Sequence, residues 1–164
     1  MGTRTIIWNF FKKAVPAALV GITVTDRYGG VCRIRGSSMS PTLNPSLGSF
    51  TDDFAFLEKF CLDKYKFAHG DVVVFSDPTD FKKRGVKRIV AMEGEYISNM
   101  NGSAIKVPDG HCWVEGDNSA FSVDSRSYGP IPLGLILGRA THIVWPPHRM
   151  SKIDRRIPHE GLAL

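Results

Sequence analysis

From Asp26 onward, apolar and polar positions mostly alternate or fall into short β-branched runs, and both patterns predict strands. "GGVCRIR" (29–35) alternates, while "GDVVVF" (70–75) and "VKRIVAM" (86–92) are runs rich in valine and isoleucine. "EYISNMNGSAIKV" (95–107) sets Asn101-Gly102 between two candidate strands, a strong short-range signal for a hairpin. "HCWVEG" (111–116) and "GRATHIVW" (138–145) complete the set. Beyond the N-terminus only "FAFLEKFCLDKY" (54–65) has a helical rhythm, and an irregular loop would also fit it. Short strands separated by Gly and Pro turns predict an all-β barrel or sandwich. The closing "WPPHRMSKIDRRIPHEGLAL" is polar and proline-rich, so an exposed tail is expected from His148 to Leu164. The expected organisation is therefore an N-terminal segment over 1–27, a body over 28–147 and a tail over 148–164.

The N-terminal segment breaks the pattern. Before Asp26 it has Arg4, Lys12 and Lys13 but no acidic residue, as mitochondrial targeting segments and the positive flanks of membrane anchors do. Its clean apolar stretch, Ala14 to Thr25, falls short of the roughly 20 residues that cross a bilayer. Extending it back to Ile6 supplies length at the expense of including Asn9, Lys12 and Lys13. Lysines near one end can snorkel, and Pro16 is tolerated in a span, so one weak membrane-anchor helix is the expectation. A cleaved secretory signal is the alternative, although "GITVTD" makes a poor cleavage site.

Composition adds less. A chain of 164 residues with 43% hydrophobic and 23% charged residues suits one ordinary globular body. Lys and Arg outnumber Asp and Glu by 21 to 16, with the excess concentrated at the N-terminus, in "KKRGVKR" (82–88) and around Arg149 to Arg156. Basic clusters can bind nucleic acid or anionic membranes. No aromatic interleaving or reader motif accompanies the charge, so nucleic acid is not expected as a partner. Cys32, Cys61 and Cys112 are odd in number and widely spaced, which supports neither a disulfide framework nor a metal site. No cofactor is expected.

One stretch invites a chemical reading. "IRGSSMSPTL" (34–43) ends a strand at a glycine and holds three serines before a proline. It is either a plain turn or a device that presents a hydroxyl. A serine needs a base to become a nucleophile. None of His69, His111, His142, His148 and His159 sits in a recognisable catalytic context. Lysine is the other candidate, provided that burial lowers its pKa from about 10.4 by two to three units. In "VKRIVAM" the alternation puts Lys87 on the face of Ile89 and Ala91, whereas Lys82 and Lys83 lie in a polar, turn-like stretch. Periodicity alone leaves open that Lys87 reaches solvent.

"GSSMSPTL", "GDVVVF", "VKRIVAMEGE" and "GDNSAFSVDSRSYG", in this order, resemble the boxes of the type I signal (leader) peptidases over about Gly36 to Trp145. These are membrane-anchored serine proteases with a Ser–Lys dyad and an all-β catalytic fold. The resemblance implies Ser38 as nucleophile and Lys87 as general base. It implies Ser122 as a residue orienting the amine, and an Asp124–Arg126 ion pair as a buttress. Gly36, Ser38 and Met39 would line the oxyanion and substrate site. Many bacterial members have a serine where this chain has Gly36, so backbone N–H groups would carry more of the oxyanion's stabilisation. The short core and the boxes "GHCWVEGD" and "THIVWPP" look most like the second-subunit type of the mitochondrial inner membrane proteases. That likeness implies presequence-bearing precursors as substrates, a homologous subunit 1 as heterodimer partner, inner-membrane lipid around the anchor and a body facing the intermembrane space. The alternative is a non-catalytic subunit that stabilises a protease complex.

Overall fold

The structure, a computed structural model, describes residues 3–45, 52–98 and 104–156. Helix α1 spans Thr3–Arg27 and ends where Gly29 turns the chain into the first strand. Gly29 has φ +147°, and a Cβ there would meet the Leu57 carbonyl oxygen at 2.2 Å, so only glycine fits this corner.

Ten strands follow: β1 (Gly29–Arg33), β2 (Phe54–Glu58), β3 (Val72–Ser76), β4 (Arg84–Met92), β5 (Tyr96–Ser98), β6 (Ala104–Lys106), β7 (His111–Glu115), β8 (Ile131–Pro132), β9 (Ile136–Trp145) and β10 (Ser151–Lys152). Eight of them form one curled, half-barrel sheet in the order β1-β2-β9-β3-β4-β7-β8, with β10 added to β9. All pairings are antiparallel. The spine is β9, which takes β2 along one side and β3 then β10 along the other. Helix α2 (Ser125–Tyr128) is a single turn after β7.

The expected all-β body with one N-terminal helix is what the chain adopts. Strand β3 reads as an unbroken apolar run because both of its faces are covered. Val72 packs with Ile34, Met39, Leu43, Ala140 and Ile143 on one side, and Val73 with Phe75, Ile89, Cys112 and Ile136 on the other. A third cluster joins Val90 and Trp113 to Ile97 and Val107, which seats the β5–β6 hairpin on the body. β5 and β6 pair as the hairpin signal predicted, Ile97 opposite Ile105, while Asn101-Gly102 itself lies outside the described residues. The cysteines are all free, and burial pushes the Cys112 thiol up to about 12.

Two expectations are corrected. The helical rhythm of 54–65 does not give an α-helix: Phe54–Glu58 is strand β2, and only Phe60–Tyr65 winds, as a kinked 3₁₀ segment. Strands β1 and β9 flank β2 on both sides, and that pairing outweighs local periodicity. The tail is also not free from His148 onward. Arg149 grips the buried Asp53 with two bonds of 2.9 Å, β10 pairs with β9, and Ile153 is buried. Arg155 Nε reaches Asp71 Oδ1 at 2.6 Å. The body therefore continues to Arg156, and the remainder of the predicted tail lies outside the described residues.

The 25 residues of α1 span about 37 Å at 1.5 Å per residue. Its described side chains are almost all exposed, including Ile7, Trp8, Val15, Leu19, Val20, Ile22 and Val24. Among the described residues, however, no helix is both long and apolar enough to cross a membrane unaided.

Candidate active site

The loop after β1 is built to hold Ser38 still. Ile34, Met39 and Leu43 are core residues, and the loop winds between these anchors with Ser40 N–H donating to the Ser37 carbonyl and Leu43 N–H to that of Met39. Asn44 closes the base of the loop, its amide donating to the carbonyls of Ile34 (2.9 Å) and Gly36 (3.1 Å). Asn44 and Asp53 also exchange two backbone-to-side-chain bonds of 2.8 Å. The stretch is a turn, and the turn presents a hydroxyl.

That hydroxyl meets Lys87. On β4, opposite Val73, Lys87 is 6% exposed, and its Nζ lies 2.7 Å from Ser38 Oγ. Burial favours the neutral amine and holds its pKa below the ordinary lysine value. The charge of Asp124 opposes that shift and the charge of Arg126 adds to it. Sequence periodicity could not decide whether Lys87 faces the interior, and the structure places it there.

The fourth and last box closes over the pair from the other side. Gly116 follows β7 at a point where an added Cβ would stand 2.3 Å from Ser122 Oγ and 2.5 Å from the Ser38 carbonyl oxygen. Asn118 donates its backbone N–H to Ser38 O (3.0 Å) and its amide to Ser37 O (3.1 Å). Asp117 turns the opposite way and binds Arg88 through two bonds, 2.8 and 2.7 Å, while accepting from the Thr42 hydroxyl at 2.5 Å. Arg88, 1% exposed, also donates to the carbonyls of Gly70 and Asp154. It thereby ties the strand that carries Lys87 to the loop that carries Ser38.

Asp124 is fully buried at the N-terminus of α2 and gathers the rest. It accepts from Gly116 N–H (2.9 Å), the Ser122 hydroxyl (2.6 Å) and the Arg126 guanidinium (2.9 and 2.6 Å). Burial alone would raise its pKa, but the bonds from Arg126, Ser122 and Gly116 outweigh it and hold the carboxyl below its usual range. Asp124 and Arg126 form the expected ion pair. Ser122 stands beside Gly116, but its hydrogen bond goes to Asp124, and none joins it to Lys87 among the described residues. Gly36 has φ +84° with open space where a Cβ would sit, and Met39 points into the core. The sequence matched Asp117 and Asn118 to a box without assigning them work, and gave Asn44 and Thr42 no role.

The chain matches the family described as signal peptidase, peptidase S26, over residues 7–105 and 98–145. The chain belongs to this family. It is 39% identical over 163 residues to mitochondrial inner membrane protease subunit 2 of Danio rerio, covering 98% of this chain and 86% of that one. With subunit 1 of the human mitochondrial inner membrane protease it shares 42% identity over 123 residues, 72% of this chain and 70% of that protein. A crystal structure of signal peptidase I from Enterococcus faecalis aligns with 46% of this chain and 97% of its own, at 21% identity and a TM-score of 0.40. This member of the signal peptidase family is a serine peptidase of the signal-peptidase type.

Proposed function

We propose that this signal peptidase is an endopeptidase working through a Ser38–Lys87 dyad, and that it removes sorting presequences from proteins delivered to the mitochondrial intermembrane space. The observation that carries the dyad is the 2.7 Å separation of Ser38 Oγ from an amine kept out of water. Neutral Lys87 takes the Ser38 proton as Oγ attacks the scissile carbonyl. The ammonium then protonates the departing amine, and the acyl-enzyme remains. Lys87 next deprotonates a water, which attacks the ester, and the ammonium returns that proton to Ser38 Oγ as the acid leaves.

The N–H groups of Ser38 and Met39 donate to no partner among the described residues, which leaves them available to the oxyanion. Each such donor is worth about 2.7–4 kcal/mol. With glycine at position 36, no side-chain hydroxyl supplements them from there. Asp124, Arg126 and Ser122 position the site and do no chemistry.

The names of the relatives support the inner membrane as location and a homologous subunit 1 as partner. Helix α1 serves as the anchor in this reading, with the body across the membrane from the lysines. Its exposed apolar side chains suit lipid contact, and the Thr23 and Thr25 hydroxyls are satisfied by the Leu19 and Gly21 carbonyls of the same helix. The Lys12 ammonium sits over the Trp8 ring, 5.3 Å from its centroid, a pairing that suits the membrane interface.

The test is cleavage of a presequence-bearing precursor by the full chain together with its partner subunit. Ser38→Ala and Lys87→Ala should each lower the rate by about a thousandfold or more with the fold intact. Lys87→Arg should do the same, because a guanidinium has no lone pair to accept the proton. Unchanged cleavage by the Lys87→Ala form would end the dyad assignment.

A further inference from the structure

A cleft of about 620 Å³ opens beside Ser38 and Lys87. One wall is β1 with the loop that follows it, and the other is residues 84–87 of β4. Both walls offer unpaired strand edges among the described residues. β1 is the first strand of the sheet, and β7 joins β4 only from Arg88 onward. An extended segment lying between these edges would have backbone partners.

The charge of the walls is one-sided. Arg33, Arg35 and Arg84 line the cleft, and no aspartate or glutamate does. Arg33 is neutralised by Asp52 at 2.6 Å. The side chains of Arg35 and Arg84 form no hydrogen bond or ion pair among the described residues, and both residues are exposed. The nearby carboxylates have partners of their own: Asp77 accepts from Thr79, and Asp124 from Arg126. Arg84 also makes itself felt at Cys32 on the facing wall, where burial pushes the thiol up and the Arg84 charge draws it back. Between the cations lies an apolar floor that includes Ile34, Met39, Val74 and Val86. Low-dielectric walls of this kind concentrate the field of the charges above them.

We infer that Arg35 and Arg84 form an acidic-residue subsite, so that preferred substrates carry a carboxylate side chain about three residues from the scissile bond. The spacing follows from β4. Arg84 precedes Lys87 by three positions, about 10 Å along a strand at 3.3 Å per residue. An extended substrate alongside covers that distance in the same number of residues. The inference rests on the protease reading of the site and adds the charge of what enters it.

The test uses the full chain with its partner subunit and a set of peptides with small residues at the cut. A single Asp is walked from four residues before the cut to three after it, each beside its Asn and Lys counterparts. The ratio of kcat/KM for Asp over Asn should reach three- to tenfold at one position about three residues from the cut. It should fall below twofold in the Arg35→Gln, Arg84→Gln double variant and shrink as salt rises to 0.5 M. Binding of the same peptides to the Ser38→Ala form, followed by fluorescence anisotropy, should rank them in the same order. Equal handling of Asp, Asn and Lys at every position overturns the subsite while leaving the protease standing. An Asp preference in binding with no cleavage by the unaltered chain supports the subsite and overturns the protease reading instead.

Discussion

Gly116→Ala tests whether the Ser38 loop and the last box are as close as described. The glycine has no positive φ, so the substitution introduces no backbone strain and probes space alone. The new methyl would stand 2.5 Å from the Ser38 carbonyl oxygen against the 3.4 Å of ordinary contact, a shortfall of about 0.9 Å. Against Ser122 Oγ the distance is 2.3 Å, a shortfall of about 1.1 Å. Neither neighbour can give way freely, since Asn118 N–H holds the carbonyl and Asp124 holds the hydroxyl. Overpacking of this size costs about 1–3 kcal/mol, which lowers Tm by roughly 2–12 °C in a domain of this length. A 1 Å displacement at the reacting centre costs about a hundredfold in rate, so kcat/KM should fall far more than stability does. The assay is peptide cleavage alongside thermal unfolding, with Gly134→Ala, where nothing lies within 4 Å, as the silent control. If Gly116→Ala cleaves within threefold of the unaltered chain at the same Tm, the packing of these two segments has been misread.

Two further outcomes follow from charge. Cleavage should rise with pH to a midpoint below about 10.4, because burial favours neutral Lys87. By linkage, the buried ammonium destabilises the fold fully below the folded-state pKa of Lys87, and the penalty disappears above about 10.4. Lys87→Met should therefore gain stability over the unaltered chain most at low pH, with the advantage fading as pH rises; a constant difference in urea unfolding would contradict this. Asp117→Ala leaves Arg88 buried without its carboxylate and should destabilise by about 3–5 kcal/mol in the same measurement, whereas a loss below 1 kcal/mol would show that the pair does not brace the site.

What could be read from the chain divides by the range of the interaction. β3, β4, β7 and β9 were legible because period two and β-branched runs are local properties, and the Ile97–Ile105 pairing because its turn residues are adjacent in sequence. β2 was misread because its five residues are stabilised by neighbours 80 or more positions away on β9. The packed stretch from Arg149 to Arg155 looked like a tail for the same reason: its carboxylate partners, Asp53 and Asp71, lie 96 and 84 residues upstream. At the site, Ser38, Lys87 and the last box came from resemblance to a family. Periodicity reached only as far as a lysine of uncertain direction. The clamps made by Asn44, Asp117 and Asn118 left no local mark, since hydrogen-bonding side chains in loops look alike until the fold supplies their partners.

With the dyad proposed above, the adjacency of Lys87 and Arg88 would make catalysis intolerant of misalignment in β4. On a pleated strand, sliding by a single residue exchanges the two sides, and would offer Ser38 a permanently protonated guanidinium while burying the base in the brace. A shifted strand would thus be silent, with no intermediate level of turnover. Correct threading of β4 between β3 and β7 is then itself the switch that separates an inert chain from a working protease.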